Sequence, residues 1–162
     1  MIRLIIDKLG NAHNDLFFKI DAIPSIIKIA DSYFLYDFLE INDEEFEKLN
    51  LKENEVIKYS ALEFIRYWKE RIKEIKKGDK KFVPLDLSDE YVSGLLLEKT
   101  KIGFKIKIAS TDKIQGYCLT KSNLDNFIDE HKINFTTEEN EWFISEDTLY
   151  AGLEWSEDDI KK

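Results

Sequence analysis

Few residues in this chain are of types that do chemistry. There are two histidines and one cysteine among 162 residues. His13 stands in a turn-rich stretch beside Asn14 and Asp15. A histidine and an aspartate can form an acid–base couple, but adjacency in sequence does not aim their side chains at each other. A loop histidine without a chemical role is the simpler account. His131 falls near the expected C-terminus of a helix, where the backbone dipole favours the imidazolium and capping explains it. Cys118 lies in an apolar stretch read as a strand, between Tyr117 and Leu119. No basic residue is placed to lower its pKa, so an inert thiol is expected. Asp86 and Asp89 offer a hard cation two carboxylates, but a turn around Ser88 accounts for them. Asp43, Glu44, Glu45 and Glu47 lack the alternate spacing and central glycine of a calcium loop, and read as a solvated helix start. There is no Gly-x-Gly-x-x-Gly, phosphate loop, Gly-x-Ser-x-Gly elbow or paired-histidine helix. A single cysteine excludes an internal disulfide and every multi-cysteine metal site. The expectation is no metal, no cofactor and no enzymatic activity.

What remains is surface. The net charge is -9, from 24 basic against 33 acidic residues. From Lys121 to Lys162 there are 12 acidic residues and 4 lysines, a net of -8, so nearly all the excess lies in the last quarter. Such a surface repels nucleic-acid phosphates and anionic membranes, and draws in basic partners. It also simply keeps a protein soluble. Trp142 and Trp155 stand in the same quarter, flanked by Glu141 and by Glu154 and Glu157. A large aromatic rimmed by carboxylates is an anchor with steering charges; the alternative is that both rings close over the core. The docking candidates are Glu139, Glu141, Trp142, Asp147, Glu154, Trp155, Glu157, Asp158 and Asp159, and the partner expected is a basic protein. Lys99, Lys101, Lys105 and Lys107 could touch phosphate, but no aromatic is interleaved with them as single-strand binders require. Edge-protecting lysines on a wet sheet face are the better account, and nucleic acid is not expected. The three-residue apolar start before Asp7 is too short for a signal peptide, and no stretch approaches a membrane span. A cytoplasmic protein is expected, and the lone cysteine suits a reducing compartment.

The elements that must carry these residues are partly legible. Ile2, Leu4 and Ile6, then Leu16, Phe18 and Ile20, alternate around a Gly10–Asn14 turn, which predicts a hairpin that Pro24 ends or edges. A second strand pair is expected at 26–30 and 33–41, the latter on aromatic enrichment. Asn42 and the acids after it predict a short helix with Phe46 and Leu49 on its apolar edge. Ser60 and Glu63 make a capping-box pair, and Leu62, Ile65, Trp68, Ile72 and Ile75 form one stripe. A helix over 61–77 follows, stopped by Gly78. Strands at 82–87 and an antiparallel meander over 91–119 come next, with one lysine-bearing face. Ser122 starts a second helix, 141–144 returns as a strand, and Ser145 caps a last short helix that Gly152, Trp155 and Ser156 end or break.

The fold class read from this order is α+β: one domain over 1–162, a largely antiparallel sheet packed on one long amphipathic helix, with two or three shorter helices. With 21 lysines to 3 arginines, the composition is that of a low-GC, bacterial genome. In size, acidity, element order and the stretch Trp142-Phe-Ile-Ser-Glu-Asp-Thr-Leu-Tyr-Ala-Gly-Leu-Glu-Trp155, the chain resembles immunity proteins of polymorphic and contact-dependent toxin systems. That resemblance implies a one-to-one complex with a cognate toxin domain, often a basic nuclease, blocked by occlusion without catalysis. Two other classes stay open. One is an accessory protein of a mobile-element or other intracellular complex. The other is an enzyme using carboxylates alone, which would need a deep pocket holding two of them with raised pKa values.

Overall fold

The computed structural model describes residues 1–22 and 24–162, and within these the side chains of all but 43, 45, 46, 53 and 54; the expected apolar edge at Phe46 lies outside the described residues. The fold is α+β, built on two antiparallel meanders. The first sheet has the order β1 (Ile2–Ile6), β2 (Leu16–Ile20), β3 (Ile26–Ala30). The second has the order β4 (Lys80–Leu87), β5 (Val92–Lys99), β6 (Gly103–Thr111), β7 (Thr136–Ser145). Between the sheets in sequence lie α1 (Leu35–Phe38), α2 (Asp43–Leu49) and the long α3 (Glu53–Lys73). The short α4 (Leu124–Glu130) precedes β7, and α5 (Glu146–Ile160) closes the chain.

Alternation builds the first sheet as expected: Ile2, Leu4, Ile6, Leu16, Phe18 and Ile20 are all buried. They meet α3, where Phe18 stacks on Trp68 at 5.6 Å and edges onto Phe64 at 6.3 Å. Trp68 is buried, and its indole N–H donates to the Pro84 carbonyl at 2.9 Å. That bond ties the helix to β4 where the β4–β5 register slips between Pro84 and Asp86. A proline is tolerated inside this strand because β4 is an edge and bulged there.

The long helix ends at Lys73, four residues short of the expected Lys77, so Gly78 lies in the following turn and is not its stop. Four further expected boundaries change. The long helix starts at Glu53, because the Glu55 carboxylate accepts the Lys52 backbone N–H at 2.8 Å and closes the first turn there. Ser60 is therefore a buried mid-helix residue, not a cap. The 33–41 run is not a strand. Its middle is α1, which turns Leu35 and Phe38 into the core, with Phe38 edge-on to Tyr67 at 5.2 Å. Aromatics at both strand parities were compatible with helical spacing, and packing on α3 decides. The stretch after β6 does not continue as a strand; Gly116–Cys118 is a single 3₁₀ turn. A Cβ on Gly116 would stand 2.6 Å from the Leu87 carbonyl carbon, so only glycine fits this approach.

The fourth change is α5. Ser145 caps it, accepting the Thr148 N–H at 3.2 Å, but the helix runs 15 residues, through Gly152, Trp155 and Ser156. The two small residues let it lie close along β1. A Cβ on Gly152 would come 2.2 Å from the Ile2 carbonyl oxygen. The Ser156 hydroxyl accepts the Leu4 N–H at 2.9 Å and donates to the Gly152 carbonyl at 2.8 Å. The free edge of β1 is thereby covered by a helix, which satisfies a backbone donor and blocks pairing with another strand.

Candidate functional site

The docking candidates fall into two groups on two elements. Glu139 and Glu141 are exposed on β7, Glu139 within the stretch where the β6–β7 register slips. Trp142, opposite Ile106, is half-buried against the core on the inner side of the second sheet. Glu141 lies 4.0 Å from Lys105 and 3.9 Å from Lys107, and Lys99 pairs with Glu146 while its ammonium sits 4.3 Å over the Phe104 ring. Three of the four lysines of the basic stripe are thus answered by carboxylates from within the chain.

The second group is on α5. Leu149, Gly152, Leu153, Ser156 and Ile160 face inward, so Asp147, Ala151, Glu154, Trp155 and Asp158 form the exposed stripe. Trp155 is 39% exposed. Among the described residues, Asp147, Glu154 and Asp158 have no cation within 4.0 Å. Glu157 and Asp159 differ: Glu157 is half-buried and bridged to Lys69 at 3.0 Å, and Asp159 lies 3.7 Å from Lys162.

Trp155 has a neighbour that charge patterning did not reveal. The Arg3 guanidinium sits 5.2 Å from its ring centroid and donates to both Asp21 carboxylate oxygens at 2.9 and 3.0 Å. Arg3 begins a row across the outer face of the first sheet, Arg3–Lys19–Ile27, with Ile5–Phe17–Ile29 beside it. Four of these six side chains are large and apolar, and Ile27 and Ile29 are 59% and 51% exposed. The signal was present in the sequence: β1 and β2 carry apolar residues at both parities, one set more than a single buried face requires.

Two hollows flank the Asp31–Ser32 turn. The larger, about 1030 Å³, lies between the β1–β2 loop and the start of α3. Its buried carboxylate, Asp15, accepts the Ser32 N–H at 2.9 Å and hydroxyl at 2.8 Å. His13 is on the surface nearby; its Nδ1 lies 3.2 Å from Asp31 Oδ2, and the ring stacks on Tyr33 at 5.5 Å. The histidine therefore meets an aspartate from the next turn rather than its sequence neighbour. His131 ends α4, Nδ1 3.0 Å from the Phe127 carbonyl. Cys118 is half-buried in the 3₁₀ turn, not in a strand.

The smaller hollow, about 440 Å³, opens between β3 and the second sheet. Asp86 lies in its wall, 6% exposed, accepting the Tyr91 hydroxyl at 2.8 Å and the Asp31 N–H at 3.3 Å. Burial pushes its carboxyl above the usual range, although hydrogen bonds from Tyr91 and from the Asp31 and Leu87 backbones oppose the shift. The bond to Asp86, with some burial, pushes the Tyr91 phenol to about 12. The expected turn forms at Ser88, whose hydroxyl accepts the Tyr91 N–H at 3.1 Å, but Asp89 is exposed while Asp86 turns inward. Among the described residues no group of three or more His, Cys, Asp or Glu could hold a metal ion, and no helix is long and apolar enough to cross a membrane. Comparison with known protein families, curated proteins and solved structures found no match.

Proposed function

We propose that this chain is a non-enzymatic binding module that docks a basic protein partner, in the manner of an immunity protein occluding a cognate toxin domain. The observation that carries this reading is Trp155: a half-exposed indole on α5, among Asp147, Glu154 and Asp158, which have no cation within 4.0 Å among the described residues. The ring is a desolvatable anchor and the carboxylates steer. Its contact with Arg3 joins the acidic stripe to the apolar outer face of the first sheet. The partner that fits presents apolar side chains opposite Ile5, Phe17, Ile27 and Ile29, and lysines or arginines opposite α5. Inhibition follows from coverage: a partner bound there has its own functional surface blocked and its charge neutralised.

The test is calorimetric titration against the protein encoded by the adjacent gene. The expected result is a one-to-one complex that Trp155→Ala weakens by about 2 kcal/mol or more, the scale of an interface anchor. Ile29→Glu, on an exposed position, should weaken it as well. Full affinity in both variants, each with native-like thermal stability, places docking elsewhere and refutes the reading.

A further inference from the structure

We propose that the cleft between β3 and the second sheet binds a guanidinium group, the kind an arginine side chain carries. This goes beyond the docking reading and does not rest on it, since the cleft lies across the first sheet from the edge that α5 covers. Its floor follows from strand register. Asp86, Ser93, Ser110 and Thr136 are consecutive partners across all four strands of the second sheet. The inner face, apolar along Leu95, Leu97, Ile106 and Ile108, thus ends in a row of three hydroxyls and a carboxylate. Thr111, Asp112 and Tyr91 line the same hollow, with Lys28 and Ile29 of β3 across it.

The chemistry of this set selects its ligand. A buried carboxylate ordinarily has a cation beside it, because desolvated charge is costly. Asp86 has none within 4.0 Å among the described residues, and Asp31 beside it adds like charge. Lys28, the cation on the rim, is engaged by Glu138 at 2.7 Å. The Asp86 carboxylate accepts the Tyr91 hydroxyl on one oxygen and the Asp31 N–H on the other, with the Leu87 backbone as a third donor, and of a carboxylate's roughly four lone-pair sites one is left for a ligand. An anion would meet the carboxylates of Asp86, Asp112 and Glu138 and a row of hydroxyls, and the one rim cation among the described lining residues, Lys28, is already taken by Glu138. A neutral polyol would match the hydroxyl row but leave the Asp86 charge unanswered. A guanidinium supplies the missing charge, spreads five donors in one plane over a carboxylate and neighbouring hydroxyls, and gives up water more readily than an ammonium.

The test uses methylguanidinium, methylammonium and glycerol as probes in amide NMR titrations of the whole chain. Methylguanidinium is expected to shift the amides of Ser93, Ser110, Thr111 and Thr136 saturably. Asp86→Asn should weaken that binding about tenfold or more, as loss of a charged hydrogen-bond partner does. Ser110→Val, which fills the floor and leaves Asp86 in place, should abolish it. A native-like amide fingerprint in either variant suffices to read the result. Equal binding of methylammonium or glycerol, undiminished binding in Asp86→Asn, or shifts confined to the acidic stripe of α5 would each overturn the assignment.

Discussion

Two aspartates titrate in opposite senses, and each yields a prediction. Asp86 is held above its ordinary value of 3.8 by burial, so the native state binds its proton more tightly than the unfolded chain. Stability then falls as pH rises from that value through the raised native one. Asp86→Asn removes the charge and keeps one acceptor oxygen for the Asp31 N–H, while its NH2 can donate to the Tyr91 hydroxyl oxygen in place of the bond it accepted. Relative to this variant, the wild type should lose stability as pH rises above 3.8 and through the raised native value, read by urea denaturation at each pH. A difference that grows in the other direction contradicts the burial account. Asp125 is the reverse case. Partial burial resists its ionisation, but the Arg71 fork and Lys81 overcome this and hold the carboxyl below its usual range. Its contribution is present above the unfolded value and lost as pH falls. Arg71 is buried, and it also donates from Nε to the Phe82 carbonyl at 2.6 Å. Asp125→Ala strands this guanidinium. It should cost about 2 kcal/mol, less than a fully buried pair because water screens the half-exposed Asp125 side.

Among the elements, α5 has the most consequence for docking, because the contacts that fix it on β1 also aim its acidic stripe outward. Ser156→Ala removes the acceptor of the Leu4 N–H and leaves a buried donor unsatisfied, at about 1–3 kcal/mol. Gly152→Ala forces a Cβ to within 2.2 Å of backbone oxygen and should cost at least as much. Denaturation, with hydrogen exchange at the Leu4 amide, checks both; wild-type protection in Ser156→Ala would refute the edge-sealing role. The same helix shows where sequence reading stops. Its cap at Ser145 was legible, because capping is local chemistry. Its length was not, because Gly152 and Ser156 read as breakers until β1 is brought beside them. Local alternation located β1 and β2, and the Trp68 stripe located the body of α3. The 33–41 run was misread because its aromatics fit two periods and only packing on α3 chooses between them. The acidic quarter was visible as charge. That Trp155 faces out and Trp142 in, or that Asp86 alone of its pair is buried, depends on partners distant in sequence.

Across the whole molecule, each meander leaves its outer face uncovered, lysine-bearing on the second sheet and apolar on the first. α3 packs against the first sheet's inner side and α5 along its β1 edge, while its outer rows keep Ile27 and Ile29 in solvent. A chain that is 35% charged has ample polar residues to cover such a face, and the apolar outer row set beside an acidic helix is what supports the proposed docking reading. The central claim is that α5 steers a basic partner onto this face. Glu157 is unsuited to testing it, because its bridge to Lys69 makes it structural. Glu154 and Asp158 are exposed and unpaired among the described residues. The most direct measurement is the association rate with the adjacent gene's product, for wild type and for the double variant Glu154→Lys, Asp158→Lys, at low and high salt. Steering predicts that the wild-type association rate constant falls steeply with salt while the dissociation rate constant changes little, and that the double variant is slower at low salt with its thermal stability intact. A salt-independent association rate constant, unchanged by the double reversal, would contradict the account.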